Sequence, residues 1–401
     1  MTETSLVFQS ASRGRVDPHM SMRGYDAEAD LMLLHFGPQH PSTHGVFRMD
    51  LVLDGEIIVK ATPYIGYLHR SVEKLCERLT YVQQTPIVDK NDYVAPMTNE
   101  QALNMAFEKL LGIEVPRRAR WMRTLFAELQ RVASHLLWLG TFALDLGGAL
   151  GGGSTLFLHC FRERELILDL FEAVSGSRFH YNTHAIGGQR HDLPAGFAEK
   201  CKAALTIIES RLVEYQDMSL SNGIFHMRTK GVGVLAGDLA LELGVTGPIL
   251  RASGVDHDLR RDAPYNAYDE LKVNVAVEQA GDCLARAKVR FAEIRDSIRL
   301  SREALDGMPE GPINGFKPVR QPTQVKATGG QVYVGIETPR GELGTFVIGG
   351  GDTPTTPYRL KIRPPSLHAL SAIPYIVPGA TVSDAVTILG SLDPIMGEVD
   401  R

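Results

Sequence analysis

The loop at residues 36–48, FGPQHPSTHGVFR, concentrates groups suited to proton chemistry. His40 and His44 lie in a segment whose two prolines and two glycines fix an irregular backbone. Imidazole groups exchange protons near neutral pH, and a spacing of four could also place two metal ligands. The sequence offers no third ligand nearby. These histidines therefore indicate either a proton-transfer site or a turn with two solvent-facing imidazoles.

Two further side chains have the same potential. Tyr93 lies in DKNDYV, just before a predicted helix. Its phenol could donate a hydrogen bond to a carbonyl group, although a tyrosine at this place is also typical of packing. Asp145 is the only formal charge between residues 134 and 157. An unpaired buried carboxyl group is costly, so we expect Asp145 to be protonated or paired with a histidine.

A polar stripe follows at helical spacing in Glu128, Arg131 and His135, which share one face of a predicted helix. Such a stripe opposite an apolar face is more often the solvent-facing side of the helix. The alternative is a buried, ion-paired strip. The segment FHYNTHAIGGQRHD contributes three more histidines, whose simpler interpretation is surface or core polarity: His180, His184 and His191.

The bulk properties exclude several classes of protein. The 401 residues include 42 Lys and Arg against 47 Asp and Glu, so neither a basic surplus for nucleic acid nor an acidic tail is present. No CxxC pair occurs, which argues against a disulfide framework and against a local zinc or iron–sulfur site. The dispersed cysteines suit a reducing compartment: Cys76, Cys160, Cys201 and Cys283. Without a GxGxxG or GxxxxGK[ST] motif, we expect this chain to bind no nucleotide, and we expect it to bind no metal.

The elements that position these groups begin with β structure. Residues 1–28 are polar and predict a flexible, irregular tail. Residues 30–36 and 49–60 predict strands, and the dipeptide Asp54-Gly55 predicts a two-residue hairpin turn in the second.

The middle of the chain predicts helices. Thr98 with Gln101 has the spacing of a capping box, and Gly112 ends that helix. Pro116 fits the first position of the next helix, whose apolar stripe has a 3.6-residue period. Further helices are predicted near residues 160–175, 195–217 and 268–304.

The C-terminal part changes character. QVYVGIETPRGELGTFVI and PYRLKIRPP predict strands, and residues 306–325 predict a connection. The predicted class is α+β, a domain over 29–401 made of a helical bundle (97–304) with β segments before (30–60) and after (325–401).

One apolar stretch, residues 134–157, is long enough to cross a bilayer. It contains six glycines and Asp145, so a buried helix running into a glycine-rich loop is the better interpretation. Residues 1–18 lack the cationic start and apolar core of a secretory signal. We therefore predict no transmembrane segment, and membrane contact only through a partner.

A series of motifs then resembles the D subunit of NADH–quinone oxidoreductase, the respiratory complex I. In order, the motifs are GPQHPSTHG, GYLHR, NDY, LGIEVP, ASHL, LDLG, FRERE, RASG, PRGELG, PYRLKIRPPS and SLDPIMGEVDR. The resemblance covers residues 31–401, which makes it far more specific than any one motif. It implies a protein that passes electrons from an iron–sulfur cluster to quinone and couples this reaction to proton translocation.

That family is also similar to the large subunit of nickel–iron hydrogenases, which implies a hydrogenase-large-subunit-like fold. Hydrogenases hold their metals through two CxxC pairs. The matching places here are residues 92–95 and 395–398, and neither contains cysteine. Because such a centre needs soft thiolate ligands, the resemblance implies that the metal site is lost and that its cavity serves as the quinone pocket.

The resemblance also assigns roles to the three side chains that could carry chemistry. His44 in PSTHG and Tyr93 in NDY would hydrogen-bond the quinone headgroup, and Asp145 in LDLG would pair with His44. A phenol and an imidazolium could each donate a hydrogen bond and then a proton. Loss of the charge on His44 would leave Asp145 without a counter-charge and trigger charge movement toward the membrane subunits.

Other residues are implied near the terminal iron–sulfur cluster, whose cysteine ligands would belong to the B subunit. These are Arg70 in GYLHR, His180 in FHYN and the C-terminal segment ending at Arg401. The implied partners are the B, C and I subunits and the membrane-embedded H subunit. The implied location is peripheral, on the cytoplasmic side of the bacterial cell membrane.

Two alternatives stay open. A metal-bearing hydrogenase large subunit would need the missing cysteine pairs, and a redox-inactive scaffold would not need the histidine, tyrosine and aspartate. The chain departs from the family pattern in a glycine-rich insertion at residues 147–154, and in Tyr181, where a second histidine also fits the pattern.

Overall fold

An antiparallel sheet opens the described part of the chain. The structure, a computed structural model, describes residues 23–26, 31–147, 153–316 and 322–401. The strands of the sheet, in sequential order, are β1 (Arg23–Asp26), β2 (Leu31–Phe36), β3 (Arg48–Asp54) and β4 (Ile57–Tyr64). The predicted hairpin is present, but its two turn residues are Gly55 and Glu56, one position later than predicted, because Asp54 still pairs with Ile57; Gly55 has a positive φ of 60°.

The prediction of an irregular tail over residues 1–28 is wrong for Arg23–Asp26. This segment pairs with β2, with Arg23 opposite Leu34 and Asp26 opposite Leu31. Pairing satisfies backbone groups that the free edge of β2 would otherwise expose, and no side-chain pattern signals it. The remaining residues of the predicted tail lie outside the described part.

Helices make up most of the chain between β4 and the second large sheet. In chain order they are α1 (Val72–Cys76), α2 (Tyr81–Val88), α3 (Pro96–Leu111), α4 (Arg117–Asp145), α5 (Gly153–Ser175), α6 (Phe197–Met218), α7 (Gly223–Thr229), α8 (Gly237–Glu242), α9 (Gly247–Ala252), α10 (Leu259–Asp262) and α11 (Cys283–Gly307). A short strand pair, β5 (His184–Ala185) with β6 (Gly188–Gln189), lies between α5 and α6.

The long helix α4 is the centre of the bundle. It packs against α5 on one side and α11 on another, and the predicted apolar stripe from Met122 to Leu136 is fully buried. The predicted end of the helix before the glycine-rich loop is confirmed, since α4 ends at Asp145. Residues 148–152 lie outside the described part. Among the residues that are described, no helix is both long enough and apolar enough to span a membrane.

Two predicted helix starts are wrong. The spacing of Thr98 and Gln101 predicts a capping box, yet α3 begins at Pro96 with Ala95 before it, and the Thr98 hydroxyl donates back to the Ala95 carbonyl at 2.7 Å. Proline fixes the φ that a first helical turn needs, so the helix starts earlier in the chain than the capping-box spacing predicts. Pro116 was predicted to be the first residue of α4, but it lies directly before the helix, which starts one position later.

The predicted helix over 268–304 is shorter than expected. Helix α11 starts only at Cys283, where the Asp282 side chain accepts the N–H of Ala285 at 2.7 Å. Gly281 has a φ of 64°, and a Cβ there would lie 2.3 Å from the carbonyl oxygen of Leu235. This close backbone approach ends any helical continuation toward residue 268.

The C-terminal part is only half β structure. Strands β7 (Gln331–Thr338), β8 (Gly341–Ile348) and β9 (Arg359–Arg363) form an antiparallel sheet as predicted. The prediction of a β-rich segment over 325–401 is wrong beyond β9. Four helices follow there: α12 (Pro365–Leu370), α13 (Ile373–Ile376), α14 (Val382–Leu392) and α15 (Met396–Asp400). Prolines at the first turns of α12 and α13 and the Thr381 cap of α14 start them.

The polar stripe of α4 lies inside the protein, so its interpretation as a solvent-facing side is wrong. Glu128, Arg131 and His135 are each 0% exposed. Glu128 accepts a hydrogen bond from Ser297 at 2.6 Å, and Arg131 donates to the Glu337 carbonyl at 2.7 Å. The buried alternative is confirmed, because α11 and β7 supply partners that the periodicity of α4 alone cannot reveal.

Arg251 joins this buried network to two more carboxylates. Its guanidinium lies 2.8 Å from Glu293 and 2.8 Å from Glu337. Burial alone would raise the pKa of Glu293, but Arg251 and His135 together lower it well below its usual range. Burial lowers the pKa of His135 to about 4 despite its 2.8 Å contact with Glu293. At neutral pH the pair is therefore a neutral histidine beside a carboxylate.

We predict that Arg251→Met lowers the free energy of unfolding of the full chain by about 3–5 kcal/mol, because it leaves Glu293 and Glu337 buried without their cation. The matched control is Arg261→Met, whose partner Asp256 is 60% exposed and whose loss should cost less than about 1 kcal/mol. Urea titration of both variants measures the difference. Equal losses would contradict the assignment of a buried network to Arg251.

Candidate functional site

The loop before β3 holds His44 in a fixed orientation. Residues Pro41–Thr43 form one turn of 3-10 helix, and the His40 ring accepts the N–H of Ser42 at 3.1 Å. The Thr43 hydroxyl donates to the His40 carbonyl at 2.7 Å. His44 ends the turn with a φ of 49°. The two histidines therefore differ in role, since His40 braces the turn and His44 projects from it.

His44 meets Asp145 at the end of α4. Its Nε2 atom lies 2.9 Å from Oδ2 of Asp145, with 16% and 8% of the two side chains exposed. The atoms are at ion-pair distance, although their alignment is short of a well-directed hydrogen bond. The predicted pairing of these side chains is thus present in the structure, and the carboxylate has the histidine partner that its burial requires.

Helix α14 makes room for this contact at Gly390. A Cβ atom at Gly390 would lie 2.5 Å from Oδ2 of Asp145 and 3.1 Å from the ring of Phe142. The position of the glycine is fixed, because the Trp138 indole donates to its carbonyl at 2.9 Å. Any larger residue would push the carboxylate away from His44.

A cavity of about 540 Å³ adjoins the pair. His44, Tyr93 and Asp145 all line it, so the structure brings the three predicted side chains to one space. Its size and its mainly apolar wall suit a ring-sized organic ligand. The other lining residues are Pro41, Ser42, Val94, Leu137, Thr141, Leu144, Phe161, Arg164, Leu168, Arg178, Phe179, Asp393, Pro394 and Ile395.

Tyr93 contributes a protonated phenol to this cavity. Burial raises the pKa of Tyr93, with Arg340 acting against the shift and neighbouring carboxyl groups adding to it. Its ring centroid lies 6.5 Å from that of Phe179. On the other side it packs on Gly397, where a Cβ would lie 3.3 Å from the ring. The hydroxyl is therefore a hydrogen-bond donor at neutral pH.

A buried charge group behind Tyr93 was missed from the sequence. Arg340, in the turn between β7 and β8, donates to Asp92 at 2.6 Å and lies 3.6 Å from Asp393. Asp92 also accepts the N–H groups of Val94 and Ala95 at 3.1 and 3.2 Å. Through Arg340, these contacts join the segment before α3 to Asp393 at the end of α14. The arginine in the motif PRGELG was the feature of the sequence that could have indicated this group.

Arg164 is the second residue that sequence reasoning missed. It is 8% exposed, lines the cavity and lies 5.8 Å from the centroid of Phe161. Burial lowers its pKa, and in the described part of the chain no partner accepts from its Nε atom. It belongs to FRERE, whose four consecutive charged residues resemble an ordinary solvent-facing stretch of helix.

Arg70, His180 and Arg401 lie together beside the segment that carries Tyr93, but they do not line the cavity. Arg70 donates through its side chain to the Lys90 carbonyl at 3.0 Å and through its backbone to the Arg401 carbonyl at 3.2 Å. His180 approaches Asp89 at 3.7 Å. Burial lowers the pKa of His180 although Asp89 opposes the shift.

The remaining histidines have other surroundings. His184 is fully buried beside Gln189 at 2.8 Å, and burial holds its pKa well below its usual value. His191 lines a separate cavity of about 530 Å³. Glu100, also fully buried, accepts the N–H of His184 at 2.9 Å, and burial raises its pKa to about 8. In the part of the chain that the structure describes, no three His, Cys, Asp or Glu side chains group as metal ligands.

Comparisons with known proteins decide the family. Residues 151–401 match the family of the 49-kDa subunit of respiratory-chain NADH dehydrogenase. The chain is 44% identical over 391 residues to the NADH-quinone oxidoreductase D subunit, numbered 2, of Koribacter versatilis, covering 92% of this chain and 96% of the relative. The corresponding D subunit of Clostridium beijerinckii is 46% identical over 379 residues, covering 94% and 100%. The chain belongs to this family.

Membership confirms the prediction made from the ordered motifs, that of the D subunit of an NADH–quinone oxidoreductase. A third member, from Geotalea uraniireducens, is 42% identical over 396 residues and covers 94% of this chain. The α+β class is confirmed by the mixture of helices and small sheets. The roles of His44, Tyr93 and Asp145, and the kinship with hydrogenases, stay predictions.

We predict that Gly390→Ala separates His44 from Asp145, because the new methyl group would lie 2.5 Å from the carboxylate oxygen, too close for both to stay in place. A structure of the variant should show the Nε2–Oδ2 distance increased well beyond the present 2.9 Å. Gly223→Ala is the control, since a Cβ there meets nothing within 4 Å. A variant that keeps the 2.9 Å contact would contradict the fit.

Proposed function

We propose that this chain forms the quinone-reducing site of an NADH–quinone oxidoreductase, together with the iron–sulfur protein of the complex, its B subunit. One observation carries the proposal: a phenol, an imidazole and a carboxylate converge on one largely apolar cavity. The family whose members bear the name of this oxidoreductase supplies the reaction. An aromatic diketone fits this cavity, because its ring needs apolar walls and its two oxygens need donors.

The chemistry follows from the groups present. Reduction adds two electrons and two protons to the quinone. The electrons arrive singly from the iron–sulfur cluster of the partner subunit. We assign one proton to the Tyr93 phenol and the other to the His44 imidazolium, which the Asp145 carboxylate stabilises at 2.9 Å. Quinol, a tyrosinate and a neutral imidazole result, and both side chains are then reprotonated, with water as the final source of the two protons.

The side that faces the B subunit is proposed from Arg70, His180 and Arg401. The Arg70 and His180 side chains approach Lys90 and Asp89, just before Tyr93 in the chain, and the Arg401 carbonyl accepts the backbone N–H of Arg70. An electron donor seated there would be close to the phenol without occupying the cavity. The same assembly would include the C and I subunits and the membrane-embedded H subunit, with this chain peripheral on the cytoplasmic side of the bacterial cell membrane.

We attribute coupling to the His44–Asp145 pair. When His44 gives up its proton, Asp145 keeps its charge at 8% exposure, and no other cationic group of the described residues forms an ion pair with it. A carboxylate left in that condition favours movement of charge elsewhere in the complex. This change would be the first step toward proton translocation.

The alternatives have less support. A nickel–iron centre needs thiolates, and residues 92–95 and 395–398 contain none. The proposed kinship with the hydrogenase large subunit concerns fold alone, with the cavity between those segments put to a new use. A redox-inactive scaffold would give no reason for a phenol, an imidazole and a carboxylate to share one cavity.

We predict that Tyr93→Phe lowers NADH:quinone reductase activity by at least about tenfold, because a general acid is removed from the cavity. Assembly and NADH oxidation by ferricyanide should be unchanged. Tyr375→Phe is the matched control, with 60% of the tyrosine exposed. Full quinone reduction by Tyr93→Phe would overturn the proposed function.

We also predict that His44→Ala reduces quinone at least about tenfold more slowly and pumps fewer protons per electron at the turnover that remains. Proton uptake by sealed vesicles, divided by NADH consumed, measures the ratio. His191→Ala is the control, because His191 lines a separate cavity. An unchanged ratio and an unchanged rate would remove His44 from the mechanism.

A further inference from the structure

Four ionisable side chains form a buried group directly behind the Tyr93 phenol. We call this group the acid cluster: Asp92, Arg340, Asp393 and Glu398. All four are 5% exposed or less. They come from the segment before α3, the β7–β8 turn, the end of α14 and helix α15. Elements far apart in the chain thus place three carboxyl groups around one guanidinium.

The acid cluster is in contact with the cavity wall. Tyr93 follows Asp92 directly, and α15 packs on its ring through Gly397. Asp393 itself lines the cavity. Glu398 faces the interior and accepts the N–H of Ser366 through Oε1 at 3.1 Å. A proton held in the cluster therefore lies out of bulk water, next to the helix on which the Tyr93 ring packs.

The charges in the acid cluster do not balance. Arg340 contacts Asp92 at 2.6 Å and Asp393 at 3.6 Å. The charge of Arg290, a residue of α11, also interacts electrostatically with Asp393. Three carboxylates would face two guanidinium groups, and a surplus negative charge in a desolvated site is costly. One carboxyl group is then best satisfied by keeping a proton.

Glu398 is the carboxyl group with the strongest reason to keep it. Burial and the charge of Asp92 raise its pKa to about 8, with Arg340 acting against the shift. Its Oε2 atom is buried and has no hydrogen-bond partner among the residues that the structure describes. A proton on this oxygen is therefore not committed to an acceptor in that part of the chain.

We propose that the acid cluster holds one exchangeable proton on Glu398 and that this proton restores the Tyr93 phenol after each quinone is reduced. The inference rests on the proposed function. Glu398 would be a positioning residue that acts through Tyr93 and does not touch the quinone.

The protons balance over one cycle. Quinone takes two electrons from the partner's iron–sulfur cluster, one proton from Tyr93 and one from His44. The tyrosinate then takes the proton of the Glu398 carboxyl group, which is the stronger acid of the two, and Glu398 becomes a carboxylate. Water returns one proton to Glu398 and one to His44, so the net uptake is the two protons of the quinol.

The test is the pH profile of quinone reduction by the assembled complex. In the unsubstituted complex, activity should fall as pH rises through about 8, where Glu398 loses its proton. Glu398→Gln keeps the acceptor for Ser366 but carries no acidic proton. Its rate at pH 7 should fall at least about tenfold, because this general acid is lost, and the decline near pH 8 should disappear.

Glu100→Gln is the matched control. Glu100 is equally buried and its pKa is also raised to about 8, but it does not line the cavity. This variant should keep both the rate and the alkaline decline. An unchanged profile for Glu398→Gln, or a low rate that still declines near pH 8, would overturn the proposal.

A second measurement needs no variant. Infrared difference spectra of the complex during quinone reduction should show transient loss of a carboxylic-acid carbonyl band at pH 7 and no such loss at pH 9. Absence of the band change at pH 7 would overturn the proposal. A fully active Tyr93→Phe variant would contradict the proposed function itself. If Tyr93→Phe is impaired but Glu398→Gln behaves normally, only the proposed role of Glu398 as a proton donor is contradicted.

Discussion

The rest of the structure depends on the cost of burying charge inside helix α4. This helix carries Glu128, Arg131 and His135 at 0% exposure, so each must meet a partner before the bundle can close. Helix α11, strand β7 and Arg260 in α10 supply those partners. Electrostatic complementarity therefore fixes the angles at which these elements pack around α4, and apolar packing fills the remaining space.

The cavity is a consequence of the same arrangement. Asp145 is the last residue of α4, and α14 reaches it only because Gly390 has no side chain. The loop that carries His44 completes the wall from the first sheet. A rigid helix end, a close helix approach and a braced turn thus define the distance between the imidazole and the carboxylate.

Local rules in the sequence predict part of this molecule well. The hairpin between β3 and β4 and the long helix ending at Asp145 follow from turn chemistry and periodicity, and both are present. Predictions failed where a distant segment decided the outcome. The strand Arg23–Asp26 exists through its pairing with β2. The helix expected from residue 268 is stopped by a backbone contact at Gly281.

The same division applies to the site. His44, Tyr93 and Asp145 were named from motifs, because residue types near a turn or a helix end carry recognisable chemistry. Arg340 and Glu398 were not, since their importance lies in the meeting of the β7–β8 turn with α15. Spacing along a sequence cannot report charge balance between segments that only the tertiary fold brings together.

The cavity wall combines residues 41–44 with residues 393–395, and this has a consequence during synthesis on the ribosome. Until the later segment emerges, the apolar wall and the Asp145 carboxyl group of the nascent chain face water. Such an unfinished surface is prone to aggregation. Cells that make this protein therefore have reason to shield it until α14 and α15 have docked.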